Sequence, residues 1–201
     1  MVVGLIGLLQ RIKSVEDNAF WCDWILERKA HFVGMDLADD EVSYPASPFA
    51  PLFQKAKAQG LGITVHAGEP NVPGAAKNIL VALDELGADR IGHGVQAIHD
   101  AEVVARLAKD GVPLELCPWS NVLTRAVHDL KSHPFKQLMD AGVRTTVNTD
   151  DHGVMDISLI QECEHLIKHL NFGMEDLRQC NQWAREASFI SKHRIEQVWP
   201  D

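Results

Sequence analysis

A repeated alternation of short apolar runs with helically periodic segments, punctuated by glycine, constrains this chain more than any other feature. The apolar runs fall at residues 2–9, 32–37, 61–66, 90–93, 112–117 and 143–148. Gly60, Gly87, Gly111 and Gly142 each follow a helix-like segment and stand shortly before the next run. Glycine just past a helix end takes a left-handed backbone without a Cβ penalty. Helix starts are marked as well: Ser14 with Asp17, Ser47-Pro48, Asp100 and Ser132 precede periodic segments, and such residues cap first turns or fit within them. Parallel neighbours need a crossover helix between them, so six strand–helix units in series imply a parallel α/β sheet. Two more helices are expected after the last strand, near 156–171 and 174–187. No linker interrupts the pattern, and one domain over 1–201 is expected.

Composition narrows the function. The net charge is −9, with 28 acidic and 19 basic residues, and no basic cluster offers a footprint for a nucleic-acid backbone. No apolar run is long enough to span a bilayer. Cys22, Cys117, Cys163 and Cys180 are widely spaced, which favours free buried thiols over disulfides or a cysteine zinc site. No signal-peptide pattern opens the sequence, and a cytoplasmic location is expected.

Titratable and polar residues recur where the runs end. Val33-Gly34-Met35 leads to Asp36, and Ile63-Thr64-Val65 to His66 and Glu69. Arg90-Ile91-Gly92 leads to His93, Leu114-Glu115-Leu116 to Cys117-Pro118-Trp119-Ser120-Asn121, and Thr145-Thr146-Val147 to Asn148-Thr149-Asp150-Asp151. Parallel α/β folds carry their sites at the C-terminal ends of strands. Imidazole and carboxylate ligands suit zinc, so His66 and Asp150 are candidate ligands. A bound divalent ion would acidify water to near neutrality. Glu69, three residues past His66, is a candidate acid. Each such residue has a plainer reading as a cap or loop residue; their recurrence on successive strands favours a site. His165 and His169 share a helix face but read as exposed. His31, His99, His128, His133 and His193 read as surface or cap residues, and Trp21, Trp24, Trp183 and Trp199 as core. Trp119 follows a strand end on the active face, and Arg11, after the first strand, reads as structural.

Five segments together resemble the adenosine deaminase family of metal-dependent amidohydrolases. They are Asp36-Leu37-Ala38 with Asp40-Glu41, Thr64-Val65-His66-Ala67-Gly68-Glu69, Arg90-Ile91-Gly92-His93-Gly94, Cys117-Pro118-Trp119-Ser120-Asn121 and Asn148-Thr149-Asp150-Asp151. The resemblance implies a TIM-barrel-like fold and zinc-dependent hydrolysis of adenosine to inosine and ammonia. It implies that His66 and Asp150 bind zinc and that Glu69 protonates purine N1. His93 would act as base or orient the attacking water, and Asp151 would bind the purine near N7. The substrate would be a small purine nucleoside.

Three departures qualify it. The family's first strand ends in H-x-H, which supplies two more ligands, and no H-x-H occurs in this chain. The first strand here resembles the family's third, so an incomplete barrel of about strands 3–8 is expected, with open edges and self-association. Asp39 stands where the family has a glycine whose backbone approaches the purine N3 edge. His152 replaces the proline that usually follows the two aspartates, and reads as a loop residue. The alternative functions are a non-catalytic fragment or interaction module needing a partner, and a deaminase of another aminopurine such as adenine.

Overall fold

The computed structural model describes residues 3–199. Six strand–helix units follow one another: β1 (Leu5–Gln10), α1 (Val15–Glu27), β2 (Phe32–Ala38), α2 (Ala50–Ala58), β3 (Gly62–Ala67), α3 (Ala75–Asp84), β4 (Arg90–His93), α4 (Ala101–Asp110), β5 (Leu114–Leu116), α5 (Pro118–Leu123), α6 (Phe135–Asp140) and β6 (Thr145–Val147). A short helix α7 (His152–Met155) and three longer segments, α8 (Leu159–Leu170), α9 (Met174–Glu186) and α10 (Lys192–Glu196), complete the described chain. All six expected strands are present. The first begins at Leu5, and Val2 lies outside the described residues.

The strands form one parallel sheet in the order β1-β2-β3-β4-β5-β6. Among the described residues β1 and β6 do not pair, so the sheet is an open, incomplete barrel. Successive side chains on a strand point to opposite faces. On one face Met35, Leu37, Ile63, Val65, Ile91, Leu114 and Leu116 are fully buried in the main apolar core with Phe53, Ile79 and Leu107. The other face is polar: Thr64 donates to Glu115 at 2.6 Å, and Arg90 lies 3.0 Å from the same carboxylate. Glycine is required on that face. Gly34 and Gly62 are register partners, and a Cβ on either would stand 2.6 or 2.3 Å from the ring of Phe189. Phe189 in turn stacks on the Arg90 guanidinium at 3.7 Å.

The helix punctuation is partly as expected. Gly60, Gly87, Gly111 and Gly142 all have positive φ, and Asp100 accepts from the backbone of Glu102 and Val103 at the start of α4. Ser14 accepts from Asp17 N–H at the start of α1. Two expected caps are not made. Ser47 lies in a 3-10 turn ahead of α2 and caps nothing, and Ser132 pairs with Asp129 in another short turn.

The tryptophans of α1 correct another expectation. Helix α1 buries Asn18, Cys22 and Ile25, so Trp21 and Trp24 fall on another stripe, 53% and 37% exposed. They pack edge-to-face on Phe20, on each other and on Phe32. Leu5 and Leu8 of β1, whose outer edge has no strand partner among the described residues, are also exposed.

Phe53→Ala removes a fully buried ring and should cost about 3–5 kcal/mol in urea unfolding. Asp100→Ala removes a helix cap and should cost about 1 kcal/mol.

Candidate active site

Four of the sequence-nominated residues converge above the C-terminal ends of β3, β4 and β6. Potential ligand atoms of His66, His93 and Asp150 lie within 4.8 Å of one another. The rings of His66 and His93 are 5.0 Å apart. Glu69 Oε2 stands 3.7 Å from His93 Nε2, and Asp150 Oδ2 stands 3.9 Å from it.

Unusual backbone brings these groups together. By strand alternation His93 falls in phase with Ile91, toward the helices. Its φ of +58° ends the extended strand and brings its ring beside His66. Asp150 has φ +57°, and Asp39 has φ +79°. Left-handed backbone is uncommon outside glycine, and Asp, Asn and His tolerate it best. It explains how Asp39 occupies a position where glycine is the easier choice. Gly92 has a different reason: a Cβ there would lie 3.2 Å from His66 Nδ1.

His66 is aimed by Asp36. The carboxylate lies 2.9 and 3.1 Å from Nδ1, so Nδ1 donates and Nε2 is left for a ligand. Burial alone would lower the His66 pKa. The charge and hydrogen bond of Asp36, with Asp150 and Glu69, outweigh it and raise the value to about 9. The polypeptide around His66 is fixed as well, since Arg11 donates to its carbonyl at 2.6 Å and to that of Tyr44 at 3.3 Å. Just past β6, Asp150 Oδ2 accepts from Ser120 at 2.7 Å.

Glu69 is held from three sides. Its backbone N–H donates to Glu41 at 2.7 Å, beside Gly68 N–H at 2.9 Å on the same carboxylate. Its carbonyl accepts from Gln96. Its Oε1 accepts from Thr124 at 2.9 Å, with Asn121 at 3.5 Å. Burial raises the Glu41 pKa against these hydrogen bonds and the charge of Arg11.

The remaining nominated residues divide. Asp39 lines a groove of about 250 Å³ with Asp40, Glu41, Val42, His66, Glu69 and Pro70. Asp151 sits at the start of α7, exposed, with no side-chain partner among the described residues. His152 is exposed in the same turn and is no part of the cluster. His165 is not on an open face: its ring lies 5.4 Å from Trp119.

Sequence reasoning missed Glu41, Thr124 and, above all, His133. Read as a surface or cap residue, His133 is 2% exposed. Its Nδ1 does cap Phe135 N–H, but the ring runs inward to Asn121. Burial, with the nearby charge of His93, lowers its pKa to about 3. The one available signal was position: His133 precedes Pro134 just before a helix.

Part of the donor set of a divalent cation is present: the Asp36-oriented imidazole of His66 and the carboxylate of Asp150 lie within reach of one point, with the His93 ring beside them. Parallel strands with such a cluster at their C-terminal ends are the arrangement of an α/β-barrel enzyme with a metal site.

A sequence model of the family described as adenosine deaminase matches residues 4–199. Adenosine deaminase of Shewanella loihica is 38% identical over 189 residues, which is 94% of this chain and 56% of that protein. The Vibrio parahaemolyticus enzyme is 40% identical over 93% of this chain and 55% of its own length. Among solved structures, adenine deaminase from Arthrobacter aurescens superposes with a TM-score of 0.89, at 35% identity over 95% of this chain and 57% of that one. The N6-methyl-AMP deaminase of Arabidopsis thaliana gives 0.85 at 29% identity, over 96% and 56%. The chain belongs to the adenosine deaminase family, and it spans a little over half the length of these relatives.

Asp36→Ala frees the His66 ring and should weaken metal binding about 10- to 100-fold. Zinc titration followed by calorimetry checks this.

Proposed function

We propose that this chain carries the proton-handling groups and part of the metal site for zinc-dependent hydrolysis of adenosine to inosine and ammonia. The convergence of His66, Glu69, His93 and Asp150 at the ends of three strands carries the reading. His66, through Nε2, and Asp150 would hold the ion. When bound, zinc supplies a water acidified to near neutrality. Glu69 delivers a proton to purine N1, so that attack at C6 is not opposed by charge on the ring. Thr124 and the Glu41 clamp keep the Glu69 carboxyl in place during that transfer. Asp151 binds the purine near N7, and Asp39 lies along its N3 edge. His93, beside both carboxylates, meets the attacking oxygen.

Adenosine is preferred as substrate because the curated relatives at 36–40% identity are adenosine deaminases. An adenine deaminase and an N6-methyl-AMP deaminase among the structural neighbours make other aminopurines the nearest variant. A cytoplasmic setting belongs to the same reading, supported by four free cysteines. No helix of the described residues is long and apolar enough to cross a membrane.

A second reading, a fragment or interaction module that needs a partner, is favoured by the open β1 edge and the partial coverage of relatives. It also accommodates self-association through that edge. Stoichiometric zinc with loss of the adenosine absorbance band supports the enzyme. A folded far-UV signal with neither metal nor turnover supports the fragment. Glu69→Gln should lower turnover by at least about 10²-fold while metal content stays unchanged. Sedimentation velocity should show a concentration-dependent dimer or larger species, and Leu8→Lys on the exposed edge should shift it toward monomer.

A further inference from the structure

Asn121 and His133 lie beside the reacting groups, and the Asn121 amide also reaches Glu69 Oε1 at 3.5 Å. Hydrogen bonds join them to His93 in a line, and the direction of each bond follows from its first donor. The backbone N–H of Phe135 donates to His133 Nδ1 at 3.1 Å. That nitrogen therefore carries the lone pair, and the neutral ring keeps its proton on Nε2. His133 Nε2 lies 3.1 Å from the Asn121 side chain, so the amide oxygen must face it. The amide nitrogen is then turned to His93 Nδ1, also at 3.1 Å, where it can only donate. His93 Nδ1 accepts, and the His93 proton sits on Nε2. Asn121 is 0% exposed, and His93 and His133 are each 2% exposed. Burial makes a mismatched donor pair costly and so fixes the polarity of the line.

The opposite side of the ring agrees. His93 Nε2 faces Glu69 Oε2 at 3.7 Å and Asp150 Oδ2 at 3.9 Å, two oxygens that favour a proton between them.

We propose that Asn121 and His133 are positioning residues that hold His93 in its Nε2–H tautomer, so that His93 enters the site as a hydrogen-bond donor and not as a third metal ligand. An N–H nitrogen has no lone pair for a cation, which leaves His66 and Asp150 as this chain's ligands. The donor instead faces the space between Glu69 and Asp150, where an attacking oxygen would be oriented. The use made of that N–H rests on the deamination reading, whereas the tautomer does not.

Long-range proton–nitrogen correlation spectra of the histidine-labelled chain, with and without zinc, report which ring nitrogen carries hydrogen. Both His93 and His133 are expected as Nε2–H, and only His66 should change on adding zinc. Asn121→Asp offers His93 an acceptor in place of a donor, so the His93 proton should move to Nδ1 while His133 stays Nε2–H. Where adenosine is turned over, this variant should lower kcat about 10²-fold with KM unchanged. His93 found as Nδ1–H in the parent, His93 Nε2 bound to zinc, or a tautomer unmoved in Asn121→Asp overturns the proposal. If the variant does not fold, the parent spectra with and without zinc decide. A chain with the expected tautomers but no turnover defeats the deamination reading and leaves the tautomer assignment standing.

Discussion

The contact between Asp36 and His66 organises the rest of the site. It joins neighbouring strands at their C-terminal ends and settles which imidazole nitrogen is available to a ligand. Several other features serve the same ring. Gly92 leaves the space beside it, Arg11 fixes its carbonyl, and the segment that follows carries Gly68 and Glu69 into the Glu41 carboxylate. These groups come from four successive units of the sheet, those of β1, β2, β3 and β4. Local geometry at His66 therefore depends on the register of β2, β3 and β4 together. A parallel sheet provides that register through its backbone hydrogen bonds, which is why the site needs the fold and not merely the motifs.

Much of this was legible in the sequence because it is written in short-range patterns. Strand order follows from the alternation of apolar runs and glycine-ended helices. The site follows from polar residues recurring where those runs end. The misreadings are cases in which the deciding partner is distant in sequence. His133 looks like a helix cap and is one, yet its other nitrogen is committed to Asn121, twelve residues earlier. Trp21 and Trp24 have helical spacing typical of a core, but α1 turns Asn18 and Ile25 to β1 and Cys22 to α2. Periodicity along one helix does not say which of its apolar stripes the sheet will cover. Ser47 and Ser132 are suitable capping residues by type, but 3-10 turns intervene.

Three of the six non-glycine residues with positive φ among the described residues lie where the side chains converge. His93, Asp150 and Asp39 all take left-handed φ, a conformation that costs about 1–3 kcal/mol per residue outside glycine. The surrounding structure holds them there. Asp150 is tied to buried Ser120, and His93 to buried Asn121. Such bends turn side chains off the strict alternation of a strand, so residues that would face opposite layers meet at one point.

Electrostatics explains why that point suits a cation. Asp36, Glu41, Glu69 and Asp150 bring four carboxylates into a small, partly buried volume. Against them stand Arg11, buried among acidic neighbours, and His66 when it is protonated. Burial lowers the Arg11 pKa while Glu41, Asp36, Asp39 and Asp40 raise it, and its hydrogen bonds go to carbonyls of His66 and Tyr44. Arg11 therefore serves the Asp36–Glu41 side of the site, and no arginine or lysine pairs with Asp150 or Glu69 among the described residues. On that side the hydroxyls of Ser120 and Thr124 are the closest partners, and the only basic groups nearby among the described residues are two imidazoles. A divalent ion at His66 and Asp150 would take over the balancing role that a proton on His66 otherwise fills, because a ligating ring must give up its Nε2 proton. Glu69 and the His66–Asp150 pair thus share one electrostatic environment.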